Sequence, residues 1–322
     1  MFKTAALSFL LIAGLSQTAT AQTAWPNERV IKIIVASAPG GGTDTVARVL
    51  ANELGKPIGQ QFVVENRPGA GNVRGSDVVA KSAPDGYTLL MSASTLAINH
   101  VMYKQLPYDV ARDFAPITQM VSLPNVLVVG KDTPFRTFED FMAEARAKPG
   151  SLTYGSAGLG TAPHMAMELL RVSANIDVLH VPYTGVAPAL NDIIGGRVTG
   201  MLVNFLSAKP QIDGGTLRAL AMSSRTRSRF MPDLPTINES GVPGYEAIQW
   251  FGLLAPAGTP AAIVERLQAE TAKILETPAM KARLAIEGAE PIGNSPAEFS
   301  ALIKAEMAKW SEVAKAAGIK PE

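Results

Sequence analysis

Cysteine is absent from this chain of 322 residues, which excludes disulfide bonds, thiol chemistry and a lipid anchor on cysteine. Histidine is scarce: the three are His100, His164 and His180, and none stands at metal-ligand spacing to a second histidine. His164 and Glu168 lie one helical turn apart, but the sequence offers no third ligand beside them. We therefore expect neither a metal nor a cofactor.

An excess of either charge is also lacking, because 29 basic residues face 28 acidic ones, which gives a net charge of +1. Binding to nucleic acid or to anionic lipid requires clustered Lys and Arg. The densest basic run, Arg225–Arg229, precedes Pro232 and is interpreted as a solvated loop. We therefore expect no nucleic-acid partner.

The first residues have the pattern of a secretory signal peptide over 1–21. A positive start at Lys3 is followed by the apolar run Ala5–Leu15, which is too short to span a bilayer. Small residues at Ala19–Ala21 then predict cleavage before Gln22, with a membrane anchor as the alternative. No later segment has the length and the lack of charge of a transmembrane helix. The sequence thus predicts an exported, periplasmic protein.

Short β-rich runs alternate with helical patterns along the mature chain, which is typical of βαβ units with parallel sheets. Strands are predicted at Ile31–Ala36, Phe62–Glu65, Thr88–Ser92, Val126–Val129, Leu152–Ser156, Val178–Val181, Gly200–Phe205, Leu217–Ser223 and Gln249–Ala255. Helices are predicted at Asp44–Leu54, Asn72–Ala80, Phe138–Ala147, Thr161–Ser173, Ala187–Gly195, Pro260–Glu276, Pro278–Glu287 and Pro296–Ala316. The fold class is α/β, and the length suits two domains.

A glycine-rich loop, Pro39–Gly42, separates the first predicted strand from the first helix. No lysine follows its glycines, so a nucleotide P-loop is not indicated, and the glycines of 69–75 and 155–160 miss the dinucleotide spacing. Glycines let a backbone approach a ligand, and the first N–H groups of a helix are unpaired. The loop is therefore either an anion site that needs no cationic side chain or only a tight turn. As an anion site, it predicts that bulk at Gly41 crowds the ligand and forces a disfavoured φ.

A second loop, Tyr154–Thr161, repeats this arrangement of strand, glycines with a hydroxyl, and helix start. Two such openings more than a hundred residues apart suggest one in each of two lobes. Ligands of parallel α/β sheets bind at the carboxyl ends of the strands, so we expect both loops to line one cleft. The hydroxyls of Ser92–Thr95 end another strand and are expected in the same cleft.

Six segments carry a resemblance to a known family: Ala38–Asp44, Val64–Gly71, Ala83–Thr88, Leu106–Asp109, His180–Pro188 and Trp250–Pro260. In this order they cover nearly all of the mature chain. The chain resembles the receptors of tripartite tricarboxylate transporters, the Bug family of periplasmic solute-binding proteins. One departure is Ser37, which stands where the family often carries phenylalanine and makes the cleft wall smaller or more polar.

The resemblance implies a type II periplasmic binding protein fold, with two α/β lobes joined by crossing strands and a ligand cleft between them. On this basis lobe 1 comprises 26–124 together with 225–322, and lobe 2 comprises 125–224. Such a receptor captures a small carboxylate and delivers it to the permease subunits of a membrane transporter. We expect it to be a monomer.

The resemblance also implies which residues bind the ligand, with backbone N–H groups and ordered water gripping one carboxylate. They are Ser37, Gly41, Gly42, Thr43, Asp44, Ser92, Ala93, Ser94, Ser156, Ala157, Thr161, His164 and Asn204. Asp44 is assigned to capping and to holding water, because a bare carboxylate repels an anion. If the ligand is an amino acid, Asp44 meets its ammonium group instead.

An exported hydrolase acting on a small ester or amide is the alternative function. Ser156 lies in Gly-Ser-Ala-Gly rather than in the G-x-S-x-G elbow, so no catalytic residue is expected. The identity of the carboxylate stays open among dicarboxylates, amino acids and aromatic acids. No arginine falls in the candidate loops, which favours a monocarboxylate or a small acid with a neutral tail.

The predicted cleavage site gives a direct test. We expect the mature protein to be soluble in the periplasm and to begin at Gln22. Mass spectrometry of the intact protein, recovered by osmotic shock, measures this end. An intact Met1 or a product embedded in the membrane would contradict it.

Overall fold

The computed structural model describes residues 25–286 and 288–321, so the predicted signal peptide and its cleavage site lie outside the described residues. The strands are β1 Ile31–Val35, β2 Phe62–Asn66, β3 Thr88–Ala93, β4 Phe114–Gly130, β5 Thr153–Ser156, β6 Leu179–Pro182, β7 Gly200–Asn204, β8 Leu217–Met222, β9 Ile248–Pro256 and β10 Glu290–Pro291. The helices are α1 Gly42–Ile58, α2 Val73–Ala80, α3 Thr95–Met102, α4 Phe138–Ala147, α5 Ala162–Ala174, α6 Val186–Ile194, α7 Phe205–Asp213, α8 Ala261–Glu276, α9 Pro278–Ile286 and α10 Pro296–Ala317.

Strand β4 is the main departure from the predicted elements, since only Val126–Val129 was predicted of its 17 residues. Pro116 and Pro124 interrupt the run, and a proline cannot donate to a strand ladder. The structure accommodates the first proline with register shifts against β9, between Pro116 and Thr118 and again between Gln119 and Val121. The expected short strand is therefore the end of a much longer one.

Two short helices, α3 and α7, were not predicted at all. Helix α3 spans only 8 residues and carries few polar positions to reveal a helical period. The predicted strand Gly200–Phe205 was one residue too long, because Phe205 begins α7. The Asn204 side chain explains this boundary: its Oδ1 accepts a hydrogen bond from the Ser207 N–H at 2.9 Å and caps the helix.

The strands form one curled sheet in the order β2-β1-β3-β9-β4-β7-β5-β6, and β10 and β8 also pair with β4. Strand β4 belongs to both halves of this sheet. Up to Pro124 it pairs with β9, and from Asn125 onward it pairs with β7. The sheet is mixed rather than purely parallel, because the pairs that involve β4 and β9 are antiparallel.

The pairing fixes the direction of the strands around this change of partner. Strand β3 is antiparallel to β9, and β9 is antiparallel to β4, so β3 and its parallel neighbour β1 run with β4 toward the change of partner. Strand β7 is antiparallel to the far part of β4 and therefore runs back toward the same point, as does its parallel neighbour β5. The carboxyl ends of β1, β3, β5 and β7 thus converge on one cleft.

A buried polar network stands where β4 changes partner. The Asn125 side chain donates to the Ala247 carbonyl at 2.6 Å and accepts from the Gln249 amide at 3.0 Å. The Ser223 hydroxyl donates to the same carbonyl at 2.6 Å and accepts from the Asn125 N–H at 2.8 Å. Each such bond stabilises a fold by about 1 kcal/mol, and a buried partner left unpaired costs more. The network fixes β4, β8 and β9 to one another at this point.

Helix α10 packs across both halves, because it contacts α3 and β4 on one side and α5 on the other. It begins with a capping box in which Ser295 and Glu298 bond each other's backbone N–H groups. Its apolar face includes Phe299 and Trp310, and the Phe299 ring meets that of Trp250 edge-on at 5.2 Å. Within the described residues, no helix has the length and apolar character needed to cross a bilayer.

A second buried polar network joins β5, α5 and α10. The Tyr154 hydroxyl donates to Glu168 Oε1 at 2.5 Å, and Arg171 Nε donates to Glu168 Oε2 at 2.9 Å. Arg171 Nη2 also donates to the Ala317 carbonyl at 3.3 Å, near the end of α10. Burial, followed by the hydrogen bond to the Glu168 carboxylate, raises the pKa of Tyr154, so the phenol donates its proton in this network.

His164 lies against this network and is only 3% exposed. Its ring stacks on His180 at 4.3 Å, and His180 stacks on Tyr154 at 4.8 Å. Burial, then the neighbouring His180, lowers the pKa of His164 to about 4 against the partly opposing Glu168 carboxylate. Burial also lowers the pKa of His180. Both rings are therefore neutral at pH 7.

We predict that folding becomes less stable as the pH falls below 6.5, because the unfolded chain then binds a proton that His164 in the folded chain does not. The difference between the ordinary histidine pKa of 6.5 and the pKa of about 4 in the folded chain lowers the free energy of unfolding by about 3 kcal/mol at pH 4. Urea unfolding between pH 7.5 and pH 4 measures it. In His164→Asn the decline should be smaller by that amount, whereas the exposed His100→Asn should follow the wild type. Equal declines in all three proteins would contradict the assignment.

Candidate functional site

The first opening lies where β1 leads into α1. Helix α1 begins at Gly42, and the residue before it, Gly41, has no side chain to cap the first N–H groups. A β-carbon at Gly42 would lie 3.2 Å from the ring of Phe251, so β9 packs directly against the start of this helix. Thr43 and Asp44 follow and are buried. The unpaired N–H groups and the positive end of the helix dipole favour an anion here.

The prediction that a side chain at position 41 forces a disfavoured φ was wrong. Gly41 has φ −79° and ψ 167°, extended values that any residue adopts. A β-carbon there would meet only the Ala38 carbonyl, at an ordinary 3.7 Å. The strained position is Gly40, whose φ is +83°. The backbone conformation at position 41 therefore does not require glycine. The space beside Gly41 is open at the surface of the loop.

Asp44 holds this loop in place. Its Oδ2 accepts from the Gly40 N–H at 2.9 Å and from Arg48 Nε at 3.0 Å, and its Oδ1 accepts from the Asn66 amide at 2.9 Å. Burial alone raises the pKa of this carboxyl, but the bonds from Arg48, Gly40 and Asn66 outweigh it and lower the pKa. Asp44 is thus an ionised loop anchor whose two oxygens are both occupied by donors of the chain.

The second opening lies where β5 leads into α5. Thr161 is the N-cap of α5, and its hydroxyl donates to the Gly158 carbonyl at 2.7 Å rather than capping the helix. The His164 ring accepts from the Gly160 N–H through Nδ1 at 3.1 Å, which requires the neutral ring. Ala157 is the first residue of the loop, directly after β5. The loop is therefore held by side chains that leave the start of α5 uncapped.

Ser156 and His180 are joined at 2.6 Å between Oγ and Nε2. This is the reach of a nucleophile and its base, but the Ser156 side chain has no exposed surface and its hydroxyl also accepts from the Gly158 N–H at 3.1 Å. A substrate carbonyl could not approach this oxygen. The pair holds the second loop, and nothing in the site favours the hydrolase.

The remaining predicted residues lie at the other strand ends of the cleft. The hydroxyls of Ser37 and Ser92, after β1 and within β3, are buried and have no hydrogen-bond partner among the described residues. Ala93 ends β3, and the N–H of Ser94 donates to the Trp250 carbonyl at 3.0 Å. Asn204 ends β7 and caps α7 with its side chain. Two buried hydroxyls at these strand ends thus lack a partner among the described residues.

A cavity of about 270 Å³ lies between the halves. Its lining comes from the β2–α2 loop, from α3 and from the β5–α5 loop, and comprises Gly71, Asn72, Thr95, Asn99, Met102, Tyr103, Leu159, Gly160 and Thr161. Of these, Thr161 was predicted to bind the ligand, and Thr95, Leu159 and Gly160 lie in segments that were expected in the cleft. The others were missed because α3 was not predicted, and because the glycines of 69–75 were considered only as a dinucleotide motif. That glycine cluster was the one available signal.

The two halves touch beside this cavity. A β-carbon at Gly160 would lie 2.9 Å from Cγ and 3.0 Å from Cε of Met102, so the methionine rests directly on the glycine backbone. Gly160 also has φ +67°, a second reason for glycine at this position. The contact encloses one end of the cavity. In the described part of the chain, no group of three or more acidic or histidine side chains is placed to hold a metal ion.

Comparison with known proteins shows which family this chain is similar to. Residues 46–319 match the model of the tripartite tricarboxylate transporter family receptor. Protein BugT of Bordetella pertussis is 36% identical over 314 residues, which cover 97% of this chain and 96% of BugT.

Solved structures agree with the sequence relationship. The R. palustris protein Rpa4515, determined with adipate, superposes with a TM-score of 0.81 at 38% identity, over 92% of this chain and 100% of Rpa4515. MatC (Rpa3494) from Rhodopseudomonas palustris, determined with bound malate, gives 0.74 at 31% identity, over 89% of this chain and 99% of MatC. The fold is that of the periplasmic binding proteins, and the chain belongs to the tripartite tricarboxylate transporter receptor family.

Proposed function

We propose that this protein is a periplasmic receptor that captures a small carboxylate between its two halves and passes it to the permease subunits of a membrane transporter. One observation carries the proposal: the strand directions bring the uncapped starts of α1 and α5 to the same cleft. Two helix starts that face one space favour an anion from both sides.

The chemistry of the cleft suits a carboxylate. Unpaired N–H groups supply donors, whereas Arg48, the cation beside the first opening, is bonded to Asp44 and Asn66. A carboxylate held by neutral donors can leave again, which a delivering receptor requires. Two relatives were determined with carboxylates, adipate and malate. The family and its solved neighbours are receptors rather than enzymes.

The division into lobes and the closing motion belong to the same proposal. Lobe 1 is 26–124 with 225–322, and lobe 2 is 125–224, a division supported by the change of partner of β4 after Pro124. Each lobe supplies one opening, so only a closed cleft offers the carboxylate both sets of donors. Export through the signal peptide 1–21 would place the receptor, as a monomer, in the periplasm.

The proposed ligand-binding residues keep distinct roles. Backbone N–H groups of Gly41, Gly42 and Thr43 would face one carboxylate oxygen, and those of the first turn of α5, which follows Thr161, would face the other. The Thr161 N–H itself is bonded to the Gly158 carbonyl at 3.4 Å. The remaining members are Ser37, Asp44, Ser92, Ala93, Ser94, Ser156, Ala157, His164 and Asn204. Of these, Ser156, His164 and Asn204 would act by holding the loops and helix starts, because their side chains are bonded within the chain. Asp44 acts by holding the loop, which its three donors support, and these donors weigh against a direct contact with an ammonium group.

The role of the first loop is tested by adjacent glycines. Gly41→Ala adds a methyl group in open space without strain, so it should leave stability unchanged but weaken carboxylate binding by tenfold or more, about 1.4 kcal/mol. Gly40→Ala, the matched control, places a side chain at φ +83° and should cost about 1 kcal/mol of stability. Calorimetry with adipate and malate, together with urea unfolding, separates the two effects. A Gly41→Ala protein that binds as tightly as wild type would place the carboxylate elsewhere.

The second loop is tested at its N-cap. Removal of the hydroxyl in Thr161→Ala takes away the shortest of the hydrogen bonds to the Gly158 carbonyl and loosens the start of α5, so affinity for the same acids should fall by about 1–3 kcal/mol. Thr161→Ser keeps the hydroxyl and should bind within about threefold of wild type. Circular dichroism checks the fold of both variants. If the alanine variant binds like the serine variant, the α5 opening does not hold the ligand.

A further inference from the structure

The cavity between the halves has a distinctive lining. None of its nine lining residues is Asp, Glu, Lys, Arg or His, yet five of them carry a hydroxyl or an amide. The apolar share comes from Met102 and Leu159. Its volume of about 270 Å³ is near the lower limit for small-molecule sites. The cavity therefore suits the remaining part of a small molecule whose carboxylate is held at the helix starts.

The polar groups of the cavity are fixed in position. Asn99 Nδ2 donates to the Gly71 carbonyl at 2.7 Å, and Asn72 Nδ2 donates to Thr95 Oγ1 at 2.8 Å. A β-carbon at Gly71 would lie 3.0 Å from the Tyr103 hydroxyl and 3.7 Å from Asn99 Oδ1. The Tyr103 hydroxyl and the Asn99 amide oxygen thus lie on the same side of Gly71. A ligand group that reached both of them would have to donate as well as accept.

The basic residues near the end of α3 lie outside the lining of this cavity. His100 and Lys104 are exposed and line a separate cavity on the other side of Tyr103, together with Asp109 and Arg112. None of the residues that line this cavity is a cation, so a second carboxylate enclosed by the lining would lose water without a charged partner there, which is unfavourable. An amide or a hydroxyl group carries no such penalty and matches the donors and acceptors present.

We infer that this cavity is the specificity subsite of the receptor, and that it selects carboxylates whose tail ends in an uncharged amide or hydroxyl group. Asn99 and Tyr103 contact the end of the tail, and Met102 with Leu159 contacts its carbons. The inference rests on the proposed function, because the carboxylate at the helix starts orients the tail. The β5–α5 loop links the two parts, since Thr161 stands directly before α5 and also lines the cavity.

Matched ligand pairs test the selection directly. Succinate and succinamate have almost the same shape and differ in one charge, as do adipate and its half-amide. Calorimetry on the full mature protein should show that the half-amide of the preferred length binds at least tenfold more tightly than the diacid. A diacid that binds as tightly as its half-amide, or more tightly, would overturn the inference.

A charge placed at the mouth of the cavity provides a second test of the inference. Leu159 lines the cavity and is 58% exposed, so Leu159→Lys adds a cation without burying it. We expect this variant to lower the preference for the half-amide at least tenfold, by improving binding of the diacid. Leu179 is 50% exposed on β6 and lies outside the cavity lining. Leu179→Lys therefore carries the same charge change and should keep the wild-type preference; an equal shift in both variants would overturn the inference.

Tyr103→Phe removes only the hydroxyl and provides a third test of the inference. Affinity for the half-amide should fall about fivefold or more, whereas affinity for the apolar-tailed acid of the same length, butanoate or hexanoate, should stay within twofold. An equal loss for both acids would overturn the role of Tyr103. If no acid of the series binds to the wild type, the proposed function fails; if acids bind without regard to the tail, the subsite alone fails.

Discussion

The passage of β4 through both halves of the sheet is the constraint on which the cleft depends. Because one strand pairs with β9 up to Pro124 and with β7 from Asn125, the directions of all the other strands follow from it. Parallel strands on either side must then end at the same place, and their helices must start there. The network around Asn125, with Ser223 and Ala247, holds the change of partner. A cleft for an anion thus results from strand pairing before any side chain is considered.

The charges near the first opening stabilise the loop and do not provide a guanidinium clamp for the ligand. Asp44, Arg48 and Asn66 form hydrogen bonds with one another, and Asp44 also accepts from the Gly40 N–H. The electrostatic field at the start of α1 therefore comes from the helix itself. The second opening uses neutral groups for the same purpose, with Thr161 and His164 bonded to loop glycines. Since buried neutral histidine resists protonation, the second loop keeps its hydrogen bonds over the pH range in which a free histidine would become charged. Both loops are thus rigid without a cation directed at the ligand.

Sequence patterns predicted the α/β class, both glycine openings and the family, because glycine spacing and strand–helix alternation are local signals. They failed where the decisive property was not local. Two prolines concealed most of β4, although register shifts accommodate the first of them. The identity of Gly41 suggested strain, but the positive φ belongs to Gly40, and the φ of one glycine in a run of three cannot be derived from composition. The lining of the cavity was missed for a similar reason, because α3 is short and Asn99 and Tyr103 approach Gly71 only in the folded chain.

The β5–α5 loop gives the proposed binding mode a link between selection and closure. Gly160 lies under Met102 of the opposite half, and Thr161 both starts α5 and lines the cavity. A ligand stabilises the closed arrangement only by the difference between its contacts there and its contacts in the open one. In this proposed mode the carboxylate would contact both halves through the helix starts, whereas the tail would contact both halves through this loop and α3 together. A tail that is poorly matched to Asn99 and Tyr103 would therefore weaken closure as well as local contact, so discrimination among acids can exceed the value of the hydrogen bonds at the tail alone.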